Sequence, residues 1–370
     1  MKINFISNQN LNVTSGGWSG INFNIHKELC KYFDVHYVGP INPKPILFEK
    51  FISKTKRVMN RQGNFYFFSN NRLNKISSIV DEKIHQDVCY NFYFGQTPWI
   101  LHQNDNYPKG VYMDADFKTY LNIFSEPKKF GEKDIFRIMK LEEQWLQQCK
   151  HIFIGSEWAW QEMIKNYDLN ESQKIVLHTG GNINLPKKDS FDKKINLLFI
   201  SLNFEKKGGF VCVEAFNIIK EKYSNAELTI IGEKPPNQII DIKGVNYIGY
   251  LDKKEPEDIK QFNTILSNSF LLIHPTIMDT MGAVLIEAAY FGCPSIAPDS
   301  FGIPELVIHN KTGVIVKDLK PLTFAKCIEE LISNPEKYYS LRKNAWNYSR
   351  QNLTWSVLGE RIKETIINNN

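Results

Sequence analysis

Asp279 and Glu287 stand eight positions apart in His274-Pro275-Thr276-Ile277-Met278-Asp279-Thr280-Met281-Gly282-Ala283-Val284-Leu285-Ile286-Glu287-Ala288-Ala289. The stretch follows an apolar run, Phe270–Ile273, and passes at Gly282 into a segment that reads as an apolar helix ending near Phe291. The first amides of such a helix, near Gly282 and Ala283, have no intrahelical acceptors, and the helix dipole adds partial positive charge there. An anion or a hydroxyl-rich ligand suits that place. Asp279 precedes the helix and Glu287 lies about five residues into it, roughly 7.5 Å further along. Two carboxylates so separated can hold two hydroxyl-bearing parts of one extended ligand. Taken alone, the bland reading is a surface-loop aspartate and a solvated helix glutamate.

Other residues could share the work. Phe204-Glu205-Lys206-Lys207-Gly208-Gly209 follows another apolar run and puts cations beside flexible backbone. By itself it reads as a solvated turn. Ser15-Gly16-Gly17 follows the first apolar run, and glycine lets backbone approach a phosphate or sugar closely. Tyr112-Met113-Asp114-Ala115-Asp116-Phe117 carries an Asp-x-Asp pair, a pattern that can hold magnesium or manganese on a diphosphate. His102 and His274 each read as a hydrogen-bonded structural histidine. No Ser-His-Asp order and no H-E-x-x-H occurs, so a hydrolase has no support. No G-x-G-x-x-G follows an expected strand, which disfavours a dinucleotide-dependent dehydrogenase.

The 274–313 segment resembles the donor-sugar motif of retaining glycosyltransferases of family 4, the GT-B "group 1" transferases. Their pattern is an acidic residue, seven residues, Glu-Ala, then Gly-x-Pro and later Gly-x-Pro-Glu. This chain supplies Asp279, seven residues, Glu287-Ala288, Gly292-Cys293-Pro294 and Gly302-Ile303-Pro304-Glu305, with Asn310-Lys311-Thr312-Gly313 beyond. The first acidic position, usually Glu, is here Asp279. The family's diphosphate-contacting Lys falls on Lys207, and its Arg falls on Leu202, which cannot do that job; Lys206 is the nearest substitute.

The resemblance implies an α/β chain of two Rossmann-like doubly wound domains facing each other across a cleft. It implies a retaining transfer of a sugar from a UDP- or GDP-linked donor to a glycan, lipid-linked or protein-linked acceptor, as in bacterial surface polysaccharide or glycoconjugate synthesis. Asp279, Lys207 and Asp114 would be catalytic. Gly16, Gly17, Lys206, Met281, Gly282, Ala283 and Glu287 would bind the donor, Glu287 through its ribose. No metal is expected, because Lys207, the helix start and the Gly16-Gly17 amides would carry the leaving diphosphate's charge. The alternatives are a GT-B epimerase or phosphorylase, or a catalytically weak sugar-nucleotide-binding protein.

The elements that must position these residues are partly visible. Leu197–Ile200, Leu228–Ile231, Phe270–Ile273 and Val314–Val316 are nearly continuous apolar runs, as in parallel strands buried on both faces. Segments at helical spacing alternate with them, which predicts a doubly wound α/β domain over 195–337. In the first 178 residues, Ile3–Ile6, Val35–Val38 and Ile152–Ile154 read as strands, and Ser156 as a helix N-cap. The stretch from Asn42 to Asn74 has no clear period. Residues 179–194, with Pro186 and clustered charge, read as a linker, and 338–370 as a helical tail packing back on the first domain.

At 370 residues the chain is long enough for two domains, and 42% hydrophobic with 23% charged residues is ordinary globular composition. Lys and Arg exceed Asp and Glu by 45 to 40, which suits phosphate-bearing ligands or an anionic membrane surface but not a nucleic-acid binder. Six scattered cysteines with no C-x-x-C predict reduced, mostly buried thiols and a cytoplasmic chain. No run approaches the roughly 20 apolar residues of a membrane span, so membrane contact would be peripheral.

Overall fold

The computed structural model describes residues 1–13, 17–59, 61–103 and 107–368. They form two units, Met1–His178 with Leu358–Asn370, and Thr179–Val357. The first holds the strands β1 (Lys2–Ser7), β2 (Asp34–Val38), β3 (Tyr90–Phe94), β4 (Lys109–Met113), β5 (His151–Ile154) and β6 (Lys174–Val176). Its helices are α1 (Gly17–Leu29), α2 (Leu47–Val58), α3 (Asn70–Lys83), α4 (Phe117–Phe124), α5 (Glu132–Gln147) and α6 (Glu157–Asn166).

The second unit holds β7 (Asn196–Ser201), β8 (Glu227–Gly232), β9 (Val245–Gly249), β10 (Leu271–Ile273), β11 (Ser295–Pro298) and β12 (Gly313–Val316). Between and after them come α7 (Gly209–Lys222), α8 (Asn237–Ile240), α9 (Pro256–Asn268), α10 (Ala283–Tyr290), α11 (Ile303–Leu306), α12 (Pro321–Ser333) and α13 (Pro335–Asn352). The last helix, α14 (Trp355–Asn368), starts in the second unit and continues into the first.

Each sheet has six strands, ordered β2-β1-β3-β4-β5-β6 and β12-β11-β10-β7-β8-β9. Every pairing is parallel. Helical crossovers cover both faces of such sheets, so strands such as β3 and β10 are buried at every position. In the first sheet burial extends to a polar pair: Asn4 on β1 donates to Asn91 on β3 at 2.8 Å and to the His85 carbonyl at 3.0 Å. The doubly wound α/β expectation holds for both units.

Two boundary expectations need correction. Residues 338–357 do not pack back on the first unit. Tyr338 of α13 stacks on Phe270 with centroids 4.1 Å apart, and Arg342 pairs with Asp189 at 2.6 Å and donates to the Phe291 carbonyl at 2.9 Å. Only the stretch from Leu358 onward joins the first unit, where Gly359 lies so close to Glu28 that a Cβ would come within 2.7 Å of the Glu28 Cβ. Residues 179–194 are likewise no free linker. The Gly181 amide donates to the Tyr290 hydroxyl at 2.9 Å, and Trp355 Nε1 to the Gly181 carbonyl at 2.8 Å.

All six cysteines are thiols, and Cys149, Cys212 and Cys293 are buried. Burial pushes the Cys293 thiol up to about 12, so it does not ionise near neutrality. Among the described residues no helix is long and apolar enough to cross a membrane.

Candidate active site

Numbered within its own unit, the second sheet runs 3-2-1-4-5-6, and the order reverses between β7 and β10. Loops leaving the carboxyl ends of two such strands diverge to opposite faces and open a crevice, the usual ligand site of open α/β sheets. The loop after β7 carries Leu202–Gly208, and the loop after β10 carries His274–Gly282. They are laced together, since the Ile277 amide donates to the Lys206 carbonyl at 3.2 Å. Gly208, at φ 79°, makes the approach possible: a Cβ there would lie 2.0 Å from the Pro275 carbonyl oxygen.

This lacing delivers Lys207 to Asp279. The ammonium donates to Asp279 Oδ2 and to the Met278 carbonyl, each at 2.6 Å. His274 Nε2 lies 3.3 Å from the same carboxylate oxygen, and the Thr280 amide donates to Oδ1 at 2.9 Å. Burial alone would raise the Asp279 pKa, but the His274 hydrogen bond and the Lys207 charge outweigh it and hold the carboxyl well below its usual range. It stays ionised, and the trio is fixed before any ligand arrives.

Helix α10 opens just past this cluster, its N-cap three residues after Asp279. Its N-cap is Gly282, at φ 89° and without a capping side chain; its own backbone bends the chain into the helix. A Cβ at Gly282 would lie 3.0 Å from Leu285 Cδ1 and 3.5 Å from Asp279 Oδ2. Ala283 is exposed and Met281 is buried, so the helix start is open while its flank belongs to the core. The Gly302 amide ties α11 to the same loop through the Thr280 carbonyl at 2.9 Å. Farther on, Gly292 at φ 69° leaves room for Arg342, whose Cγ would be 3.2 Å from a Cβ.

Glu287 is fully buried, not a solvated helix residue. Both its oxygens take the Lys253 ammonium at 2.6 Å, and Oε1 also accepts from the Asn182 amide at 3.0 Å. Sequence reasoning missed Lys253, because Asp252-Lys253-Lys254-Glu255 looks like a solvated charge run. Its ammonium also sits 4.5 Å from the centre of the Phe262 ring. His274 was read as structural, though its place at a strand end before the donor-type loop was a usable signal. Leu202 is 72% exposed and Lys206 is also exposed, so neither joins Lys207 in the Asp279 cluster.

The remaining candidates belong to the first unit. Gly16 lies outside the described residues. Gly17 is the first residue of α1, at φ 43°, with nothing within 4 Å of where a Cβ would stand. Asp114 follows β4 and is half-buried. Asp116, its partner in the Asp-x-Asp pair, caps α4 by accepting from the Lys118 and Thr119 amides at 2.9 and 3.1 Å. Among the described residues no group of three or more His, Cys, Asp or Glu is placed to hold a metal ion.

Residues 181–348, nearly all of the second unit, match the family described as Glycosyl transferases group 1. The second unit is a group 1 glycosyltransferase domain. Over 303 residues the chain is 20% identical to a D-inositol 3-phosphate glycosyltransferase of Corynebacterium diphtheriae, covering 75% of this chain and 69% of that protein. Sucrose-phosphate synthase from Thermosynechococcus elongatus superposes with a TM-score of 0.69 at 15% identity, over 100% of this chain and 98% of that one. HepE of Anabaena, solved in complex with UDP, superposes at 0.68 and 16% identity over the whole of both chains, and it has also been solved with UDP-glucose. The chain is therefore a glycosyltransferase with the two-domain GT-B fold.

Proposed function

We propose that this glycosyltransferase takes its sugar from a nucleoside diphosphate sugar and transfers it, with retention of configuration, to a hydroxyl of a glycan or glycoconjugate. The observation that carries the reading is the Lys207–Asp279–His274 cluster at the sheet's switch point, with Asp279 three residues before the N-cap of α10. A departing nucleoside diphosphate develops negative charge, and fixed positive potential already aimed at that spot lowers the barrier. Lys207 and the α10 amides supply such potential from the chain itself, so turnover is proposed to need no divalent ion. Asp279 would accept from donor-sugar hydroxyls. Glu287 would accept from the ribose, sharing its carboxylate with Lys253. Gly17, at the start of α1, would bind the donor, and Asp114, just past the end of β4, would act at the acceptor hydroxyl.

HepE's complexes with UDP and UDP-glucose support a uridine-linked donor here. The role that follows is assembly of a polysaccharide or glycoconjugate. Thermal-shift measurement with UDP, GDP and NAD, followed by mass spectrometry of nucleotide sugars incubated with the stabilising base, tests the proposal. A rise in melting temperature with UDP or GDP and slow release of free sugar are expected, with or without EDTA. Indifference to both nucleotides would sink the donor assignment, and activity that EDTA abolishes and manganese restores would sink the metal-free mechanism.

A further inference from the structure

Helix α2 is built inside out. Its buried position is Ser53, whose hydroxyl donates to the Asn64 carbonyl at 2.8 Å, and Arg57 reaches back to Ser53 Oγ at 3.3 Å. Glu49, also turned inward, accepts from Asn71 at 2.8 Å. The large apolar residues point the other way: Leu47 is 81% exposed, Phe48 70%, Phe51 67% and Val58 77%, with Met59 just beyond the helix at 60%. Leu47, Phe51 and Val58 recur at i, i+4 and i+11, a single stripe at 3.6 residues per turn, and Phe48 and Met59 widen it on one side. A water-facing stripe of five large apolar side chains is a surface that something covers.

Charge says what. From Lys44 to Arg61 the chain carries six Lys or Arg and one Glu, a net +5 equal to that of the whole chain, so the other residues balance at 39 of each sign. Lys44, Lys50, Lys54 and Arg61 are exposed. A second copy of the chain would bring two such segments together, like charge against like. Apolar residues flanked by lysine on one short helix match the boundary between acyl chains and anionic headgroups.

We propose that α2 docks this glycosyltransferase on an anionic lipid bilayer, with Leu47, Phe48 and Phe51 entering the interface and Lys44, Lys50 and Lys54 lying among the headgroups. The site is separate from the donor cluster and does not depend on which sugar is transferred. The test is co-flotation of the full chain with vesicles of phosphatidylcholine alone, or of phosphatidylcholine and phosphatidylglycerol in equal parts.

Binding is expected to the anionic vesicles and to weaken with added salt. Lys50→Glu with Lys54→Glu should lower partitioning by about tenfold or more. Leu47→Ser with Phe51→Ser should do the same while leaving circular dichroism and the nucleotide thermal shift unchanged, because both side chains already face water. A wild-type chain that stays out of the anionic vesicles overturns the proposal, as do variants that float equally well. So does a Leu47→Ser, Phe51→Ser chain that turns from dimer to monomer in sedimentation velocity, since the stripe would then be covered by a second copy.

Discussion

Two carboxylates, fully buried Glu142 in the first unit and half-buried Asp279 in the second, meet opposite fates. Asp279 in the second unit is surrounded by Lys207 and His274 and is held ionised. Among the described residues, Glu142 on α5 of the first unit accepts from neutral donors: the Thr97 hydroxyl and the Phe117 amide at 2.7 Å, and the Tyr167 hydroxyl at 2.8 Å. Burial, with Asp116 nearby, pushes Glu142 up to about 7. Hydrogen bonds alone fasten α5 to the start of α4 without fixing a charge. The Lys207 cation fixes a charge, and it does so at the switch point, where a ligand can use it.

The sharpest way to break this contrast is Lys207→Ala. Removing a preorganised cation from the leaving group is worth about 3–4 kcal/mol, so turnover on a confirmed donor should fall by two or more orders of magnitude. The melting temperature should fall as well, because Asp279 loses its ion-pair partner, while circular dichroism should show the fold retained. Normal turnover would mean the diphosphate is held elsewhere.

Glu142→Gln probes the other side. Between its ordinary value of 4.5 and about 7, folded Glu142 keeps a proton that the unfolded chain has lost. Wild-type stability should therefore fall as pH rises through that window, by a few kcal/mol at about 1.4 kcal/mol per unit. The glutamine variant stays neutral throughout, so its melting temperature should be flatter over that range. Parallel curves would remove Glu142 as the source.

Asp279→Asn should show the opposite slope. A carboxyl held below its ordinary value of 3.8 stabilises the fold above that pH, and the contribution disappears as the pH falls. The variant should lose about 2 kcal/mol at neutral pH, from hydrogen bonds to a charged group, and the gap to wild type should close in acid. The smallest effect is expected from Asp116→Asn, which keeps an N-cap acceptor for α4 but removes the charge beside Glu142. It should narrow the Glu142 window by less than about 1 kcal/mol in a pH series of melting curves.

The legible parts of the sequence were those where one physical signal dominates. Leu197–Ile200 and Phe270–Ile273 are unbroken apolar runs because both faces of β7 and β10 are covered, and the Asp279–Glu287 spacing sits directly on a helix start. Tyr90–Phe94 was not recognised as a strand, since Asn91 interrupts it; only the fold shows that Asn4 satisfies that amide. The period of α2 was overlooked in residues 42–74 because one short helix carries it, with Pro43 and Pro45 just before and Gly63 soon after; that its apolar stripe faces outward is visible only in the fold. Lys253 was invisible for another reason: its partner Glu287 is 34 positions away, and neighbouring charges disguise it. The boundary at 338 was misplaced because amphipathic α13 reads the same whichever unit it serves; Arg342 and Tyr338 decide the matter through contacts with Asp189 and with Phe270, just before β10.

The return of α14 to the first unit has a consequence for how the molecule is made. In chain order the second unit is an insertion, placed between His178 and Leu358 of the first. Synthesis makes residues 1–178 of the first unit ahead of the second, and must run through all of the second before supplying the helix that lies against Glu28 and sets Lys363 over the Tyr32 ring at 5.3 Å. The inserted unit is contiguous and can close on itself as soon as it emerges. The unit begun first is completed last, and until then the surface around Glu28 and Tyr32 waits for its cover.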